Sequence, residues 1–304
     1  MKLGQAFDPR HNALNLWRLI LATGVIFWHS FPLTGNTIDF QPAVRLLSEV
    51  WVDGFFTVSG FLITASWMRR PHLGEYWRAR FLRIFPGLWV CVAVTAFVIA
   101  PIAAAVKHSS LPLSAEFAYV VNNGLLNVFY AGINGTPKDI PWPGVWNGSL
   151  WTLVFELLCY IAVCVLGVLG LLKRQWVLPT LFVASAVWSA YVSYPTMAQQ
   201  SIPQMLARFA VVFLAGALIH QYRDAIPAHW SLVALCGVIV IASGFAQNYR
   251  LIAALPLAYA IIVSGALVRR FPLRNDISYG MYIYAFPVQQ LLATLGLVSL
   301  HPTV

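Results

Sequence analysis

The chain has 304 residues, 60% of them hydrophobic and only 10% charged, with a mean hydropathy of +0.73. A soluble domain is roughly 45–50% apolar and about 25% charged, so these proportions exclude a soluble globular protein and indicate one that crosses a membrane many times. The formal net charge of +9 has a membrane explanation, given below, and does not call for nucleic acid.

A helix needs about 20 apolar residues to cross the hydrocarbon core, and the sequence offers nine such stretches: about 14–33, 50–68, 84–106, 149–172, 176–194, 204–221, 229–246, 250–268 and 277–297. The expected fold is all-α, a polytopic transmembrane helix bundle of nine to ten spans in a single domain over 1–304. The first stretch has no A-x-A-like cleavage site after it and more spans follow, so it reads as a retained helix. Within it, "LWRLILATGVIFWHS" sets Arg18 and His29 eleven residues apart. At about 100° per residue the two return to nearly one face, roughly 16 Å apart along the axis. An ionisable group inside a span costs several kcal/mol unless it faces a cavity or a partner, so each one is a functional candidate. The plain alternative is a snorkelling Arg18 and a His29 bonded to a backbone carbonyl.

The second stretch contains "VDGFFTVSGFLI", with Asp53 near its outer end and a small Ser59-Gly60 pair that lets another helix approach. The connection "RRPHLGEYWRARFLRIFP" that follows carries Arg69, Arg70, Arg78, Arg80 and Arg83. It is either an anchor for anionic lipid head groups or a site for a phosphorylated ligand, which guanidinium forks suit. After the third stretch, residues 107–148 are polar and rich in asparagine and proline, and 117–131 suits a short re-entrant or interfacial helix, or a tenth span. The fourth stretch begins "SLWTLVFE" and places Glu156 about two turns in, roughly 10 Å. A histidine and two carboxylates at similar depth form either a base with its orienting partners or an ion-pair knot between helices. The last stretch opens "ISYGMYIYAFPVQQ", where Tyr279 suits the aromatic belt and Gln289 and Gln290 either line a cavity or bond to neighbouring helices.

Charge orients the chain. With the N-terminus cytoplasmic, Lys2, Arg10, Arg18, Arg69, Arg70, Arg78, Arg80, Arg83, Lys173, Arg174, Arg223, Arg269, Arg270 and Arg274 fall on the inner side, against Arg45, Lys107, Lys138, Arg208 and Arg250 outside. Fourteen against five obeys the positive-inside rule. Cys91, Cys159, Cys164 and Cys236 lie within spans and show neither disulfide nor metal spacing.

Taken together, these motifs resemble the acyltransferase-3 family, integral membrane proteins of bacteria that O-acetylate sugars. The resemblance runs over essentially the full length. It rests on R-x10-H (Arg18, His29), "VDGFFTVSGFLI", RxxR within "RARFLRIFP" (Arg80, Arg83), "SLWTLVFE" and "ISYGMYIYAFP". It implies transfer of an acetyl or other short acyl group from cytoplasmic acetyl-CoA or a related acyl-CoA to a hydroxyl of a saccharide or glycolipid acceptor at the bacterial cytoplasmic (inner) membrane, without a metal. By the same resemblance His29 is the catalytic histidine, as general base or transient acyl carrier, and Asp53 and Glu156 orient it. Arg18 steers the donor or stabilises an oxyanion. Arg80 and Arg83, with Arg78 and Tyr279, hold coenzyme A. Many relatives have a histidine where this chain has Ala285, and others append an extracytoplasmic domain, whereas this chain ends at Val304; it acts alone or with polysaccharide-synthesis partners. The rival expectations are a transporter of a sugar or anionic solute, for which no internal repeat speaks, and a scaffold of an export complex.

Overall fold

The computed structural model describes residues 1–192, 201–268, 273 and 275–299. Arg269, Arg270 and Arg274, counted above as inner-side charges, and the last residues of the tail lie outside this set. The described residues contain no strand, only isolated bridges at Lys2 with Pro227 and Ile133 with Thr136. Among them the α-helices run in chain order as α1 Leu3–Ala6, α2 Leu14–Leu33, α3 Gln41–Leu47, α4 Val50–Arg69, α5 Leu73–Val94, α6 Ala100–Val106, α7 Leu113–Gly124, α8 Thr152–Val168, α9 Val177–Tyr191, α10 Ile202–Gln221, α11 Trp230–Ser243, α12 Arg250–Leu267 and α13 Ser278–Thr294. A π-helical turn, Thr95–Ile99, joins α5 to α6.

Each of the nine expected stretches holds a helix, but among the described residues the helices long and apolar enough to cross a membrane number five: Leu14–Leu33, Gln41–Arg69, Leu73–Val106, Ile202–Gln221 and Arg250–Leu267. The apolar helices α8, α9 and α11 have 17, 15 and 14 residues. At ~1.5 Å per residue even 17 residues reach only about 25 Å, short of a core of about 30 Å. The expected stretches 149–172 and 229–246 overrun α8 and α11 because apolar residues continue past those helix ends. The connection before the third stretch is shorter than expected, and Arg80 and Arg83 share a helix, as their spacing suggests. α5 begins at Leu73, with Glu75 in its first turn, so Arg78, Arg80 and Arg83 are helical.

The chain folds as two compact units. The first comprises Met1–Leu21, Phe40–Tyr76 and Phe155–Asp276, and the second Ala22–Asp39, Trp77–Val154 and Ile277–Val304. In the first unit α4 and α10 form the tightest pair, and glycine explains why. A Cβ added to Gly60 would stand 1.9 Å from the backbone oxygen of Phe213, and one on Gly216 would stand 2.0 Å from that of Thr57. The two backbones touch through reciprocal gaps, as close membrane helices do. Phe56 stacks on Phe209 beside the gap, centroids 4.0 Å apart, and Thr57 Oγ1 donates to the Val212 carbonyl at 3.3 Å. A capping box of Ser201 and Gln204 starts α10. The N-terminus is strapped to 223–228 by Leu3 N to Ile226 O and Gly4 N to Arg223 O, both 2.9 Å.

In the second unit the connection from α7 to α8 is held by buried amides. Gln290, fully buried on α13, donates its Nε2 to the carbonyls of Trp142 at 2.8 Å and Val145 at 2.6 Å. Asn147 Nδ2 donates to Ile283 O at 2.7 Å, and Trp146, buried, donates its indole N–H to Thr136 Oγ1 at 3.0 Å. A long polar loop beside apolar helices must satisfy its backbone internally, and these side chains do so.

Candidate active site

His29 belongs to the second unit, near the end of α2. Its imidazole is half-buried and meets the ring of Phe286 edge to face, centroids 5.2 Å apart. Phe286 meets Trp142 in the same way at 5.8 Å, so histidine, phenylalanine and tryptophan form a row of rings. Gln289 Nε2 donates to the carbonyl of Ile26, one turn before the histidine, at 3.1 Å. Gln289 and Gln290, left open by the sequence, thus have separate tasks: one tethers α13 to the His29 helix, the other fixes the Trp142 loop. Trp142 keeps 36% of its surface exposed whereas Trp146 keeps none, so the two tryptophans of the loop are not equivalent.

The RxxR arginines stand on α5 in the same unit. Arg80 is buried, Arg83 half-buried and Arg78 exposed. Tyr279 donates its hydroxyl to the carbonyl of Ile84, the residue after Arg83, at 2.8 Å. Its ring lies against Gly87, where a Cβ would come within 2.8 Å. Tyr279 therefore ties the start of α13 to the arginine-bearing turns of α5, with its hydroxyl committed to the backbone.

The first unit holds Arg18, Asp53 and Glu156. Arg18 is 5% exposed and its guanidinium donates to Asp276 at 2.8 Å. Glu156 accepts a short hydrogen bond from the hydroxyl of Tyr160, one turn along α8. Tyr160's own carbonyl accepts from Tyr76 at 2.9 Å.

Asp53 has the most developed surroundings, and the sequence reading missed them. Its carboxylate accepts from Arg208 Nε at 3.0 Å and Arg250 Nε at 2.6 Å, and from the hydroxyl of Tyr249. Arg250 also binds Glu49, from which Arg208 stands 3.8 Å away. Asp53 and Arg208 are fully buried, Arg250 is 2% and Glu49 8% exposed. Two carboxylates and two guanidiniums make a neutral quartet closed by a tyrosine. Arg208 and Arg250, counted above as outer-side charges, are interior. A signal was present, because both fall inside expected spans, where an arginine requires a carboxylate, and Glu49 and Asp53 lie one turn apart on one helix face. Among the described residues no group of three or more His, Cys, Asp or Glu side chains is placed to hold a metal ion.

The sequence model of an acyltransferase domain family matches residues 11–303. An O-acetyl transferase of Shigella phage Sf6 is 27% identical over 314 residues, covering 97% of this chain and 89% of the relative. Nodulation protein 10 of Rhizobium leguminosarum bv. viciae is 27% identical over 330 residues, covering 95% and 85%. No solved structure matches the chain significantly. With a family match over nearly its whole length and several apolar helices able to cross a bilayer, the chain belongs to the acyltransferase-3 family and is a multi-pass membrane O-acyltransferase.

Proposed function

We propose that the enzyme moves an acetyl or other short acyl group from cytoplasmic acyl-CoA, acetyl-CoA first, to a hydroxyl of a membrane-associated or cell-surface saccharide. The whole chain acts as one multi-pass acyltransferase domain in the bacterial inner membrane, with its N-terminus cytoplasmic. The observation that carries this reading is His29 itself, an imidazole inside an apolar helix, beside an aromatic row that ends in a partly exposed tryptophan. A neutral imidazole can take a proton from the acceptor hydroxyl.

In the direct route the acceptor oxygen attacks the thioester carbonyl while His29 removes its proton. The new C–O bond forms, the C–S bond breaks, and the thiolate leaving group takes up the proton from the imidazolium. In the alternative route His29 attacks first and carries the acyl group to the sugar oxygen. Arg18, roughly 16 Å from His29 along α2, steers the donor's arm rather than touching the reacting carbonyl. Arg80 and Arg83, with Arg78, hold the phosphates of coenzyme A, and Tyr279 keeps that turn in place. Asp53 and Glu156 take supporting rather than chemical roles, Asp53 through its quartet and Glu156 through its bond with Tyr160. The exposed face of Trp142 suits a sugar ring, which stacks on aromatic surfaces. One relative is named for O-acetyl transfer, which supports an oxygen acceptor here. The transporter reading is not favoured, since the family is defined by acyl transfer.

The test is transfer of radiolabelled acetyl from acetyl-CoA to surface glycan in membranes. His29→Ala should lower it by about 100-fold or more with unfolding unchanged, and a trapped acyl-histidine would distinguish the second route from the first. Arg80→Ala with Arg83→Ala should raise the donor KM more than it lowers kcat. Full transfer by His29→Ala would remove the histidine from the chemistry.

A further inference from the structure

A cavity of about 890 Å³ lies within the first unit, at the upper end of the size usual for small-molecule sites. Its lining includes the guanidinium groups of Arg10, Arg69 and Arg223, the imidazole of His220 and the amides of Asn12 and Asn15, and no carboxylate. The start of α2 also reaches it, through Leu14 and Asn15, so the positive end of a 20-residue helix dipole adds to the three cations.

The cationic groups are arranged rather than scattered. Arg223 donates to His220 Nε2 at 3.0 Å and to the His220 carbonyl at 3.1 Å. His220 meets Phe61 edge to face at 5.5 Å, and Phe61 meets Phe7 likewise at 5.0 Å. A guanidinium held over a packed aromatic floor loses little freedom on meeting an oxyanion. Arg10 and Arg69 are exposed, and among the described residues neither pairs with a carboxylate. Of the nearest acids, one is engaged by its own neighbours and the other makes a long, solvent-exposed ion pair with Arg223. Asp8 accepts from the backbone N–H of Arg10 at 2.8 Å and from the His11 ring at 2.9 Å, and Asp224, largely exposed, stands 3.8 Å from Arg223. Arg69 and Arg223 follow the ends of α4 and α10 and so also offset those helix dipoles. That role does not extend to Arg10, which precedes α2 and stands with them around a sizeable space.

We infer that this cavity binds a phosphate-bearing ligand, with Arg10, Arg69 and Arg223 on the phosphate oxygens and Phe7, backed by the buried Phe61, beneath its apolar part. Three like charges around a concave space repel one another, and a phosphate oxyanion relieves that repulsion. The same chemistry is presented by the head group of an anionic lipid and by a free nucleotide phosphate. The inference does not rest on the assignment of Arg80 and Arg83 to the acyl donor.

The experiment has two arms, both on the full chain. In the first, protein in nanodiscs of neutral phosphatidylcholine is titrated with adenosine 3′,5′-bisphosphate. In the second, detergent-solubilised protein is mixed with phosphatidylglycerol and bound lipid is counted by native mass spectrometry. The double variant Arg10→Gln, Arg69→Gln changes only exposed side chains and should weaken one probe by ~10-fold or more, with the wild-type affinity falling as salt rises. The arm that responds identifies the source. Wild-type protein that binds neither probe, or a double variant that binds both like the wild type, overturns the site. If Arg80→Ala with Arg83→Ala abolishes bisphosphate binding while the Arg10/Arg69 variant keeps it, the nucleotide belongs to the donor site and the nucleotide form of this inference fails.

Discussion

The quartet around Asp53 shows what a single ionisable residue requires inside an apolar helix. Removing one member of a buried ion pair leaves an uncompensated charge, at a cost of about 3–5 kcal/mol. Asp53→Leu should lower unfolding stability in detergent by that amount, since two guanidiniums would then share Glu49 alone. Adding Arg250→Leu should restore part of the loss, because the pair is then removed together. If the double variant is no more stable than the single, the quartet is not a coupled unit. The chemistry of individual residues was legible where the residue type itself was improbable: Arg18, His29, Asp53 and Glu156 stand out against lipid. Their partners were not, because Arg208 and Arg250 lie over 150 positions from Asp53 in the chain, and charge counting had already given them a place.

At the scale of elements, the approach of α4 and α10 was half legible. The Ser59-Gly60 pair announced a small-residue face, but not that Gly216 answers it from the other helix. Two glycine-to-alanine changes should have opposite signs. Gly60→Ala puts a Cβ 1.9 Å from a backbone oxygen and should cost about 1–3 kcal/mol as the helices are forced apart. Gly237→Ala, on α11, meets nothing within 4 Å and should be neutral or stabilise by up to about 1 kcal/mol through helix propensity. Equal effects in an unfolding titration would refute the close-contact account. Hydropathy located every long apolar helix here because apolar composition is a strong signal, and missed the short α1 and α3. It overstated the lengths of α8 and α11 because apolar residues continue past their ends, and it started the third stretch too late because the first turns of α5 are rich in arginine.

At the scale of the molecule, charge distribution predicts which end of each helix faces the cytoplasm, and this can be read from outside the cell. Arg70 and Lys138 are both exposed and fall on opposite sides in the proposed orientation. With a membrane-impermeant maleimide, Lys138→Cys should label in intact spheroplasts and Arg70→Cys only after permeabilisation; the reverse pattern would invert the topology. The arginine quartet refines the positive-inside count without changing its sign, since the two residues it withdraws came from the minority side. One further consequence belongs to Gln290. Because its amide holds two carbonyls of the α7–α8 loop, that loop is not an autonomous module. Grafting 125–147 from a relative should give a folded protein only if the helix residue that grips it is transplanted as well, so this loop and α13 can be exchanged only as a pair.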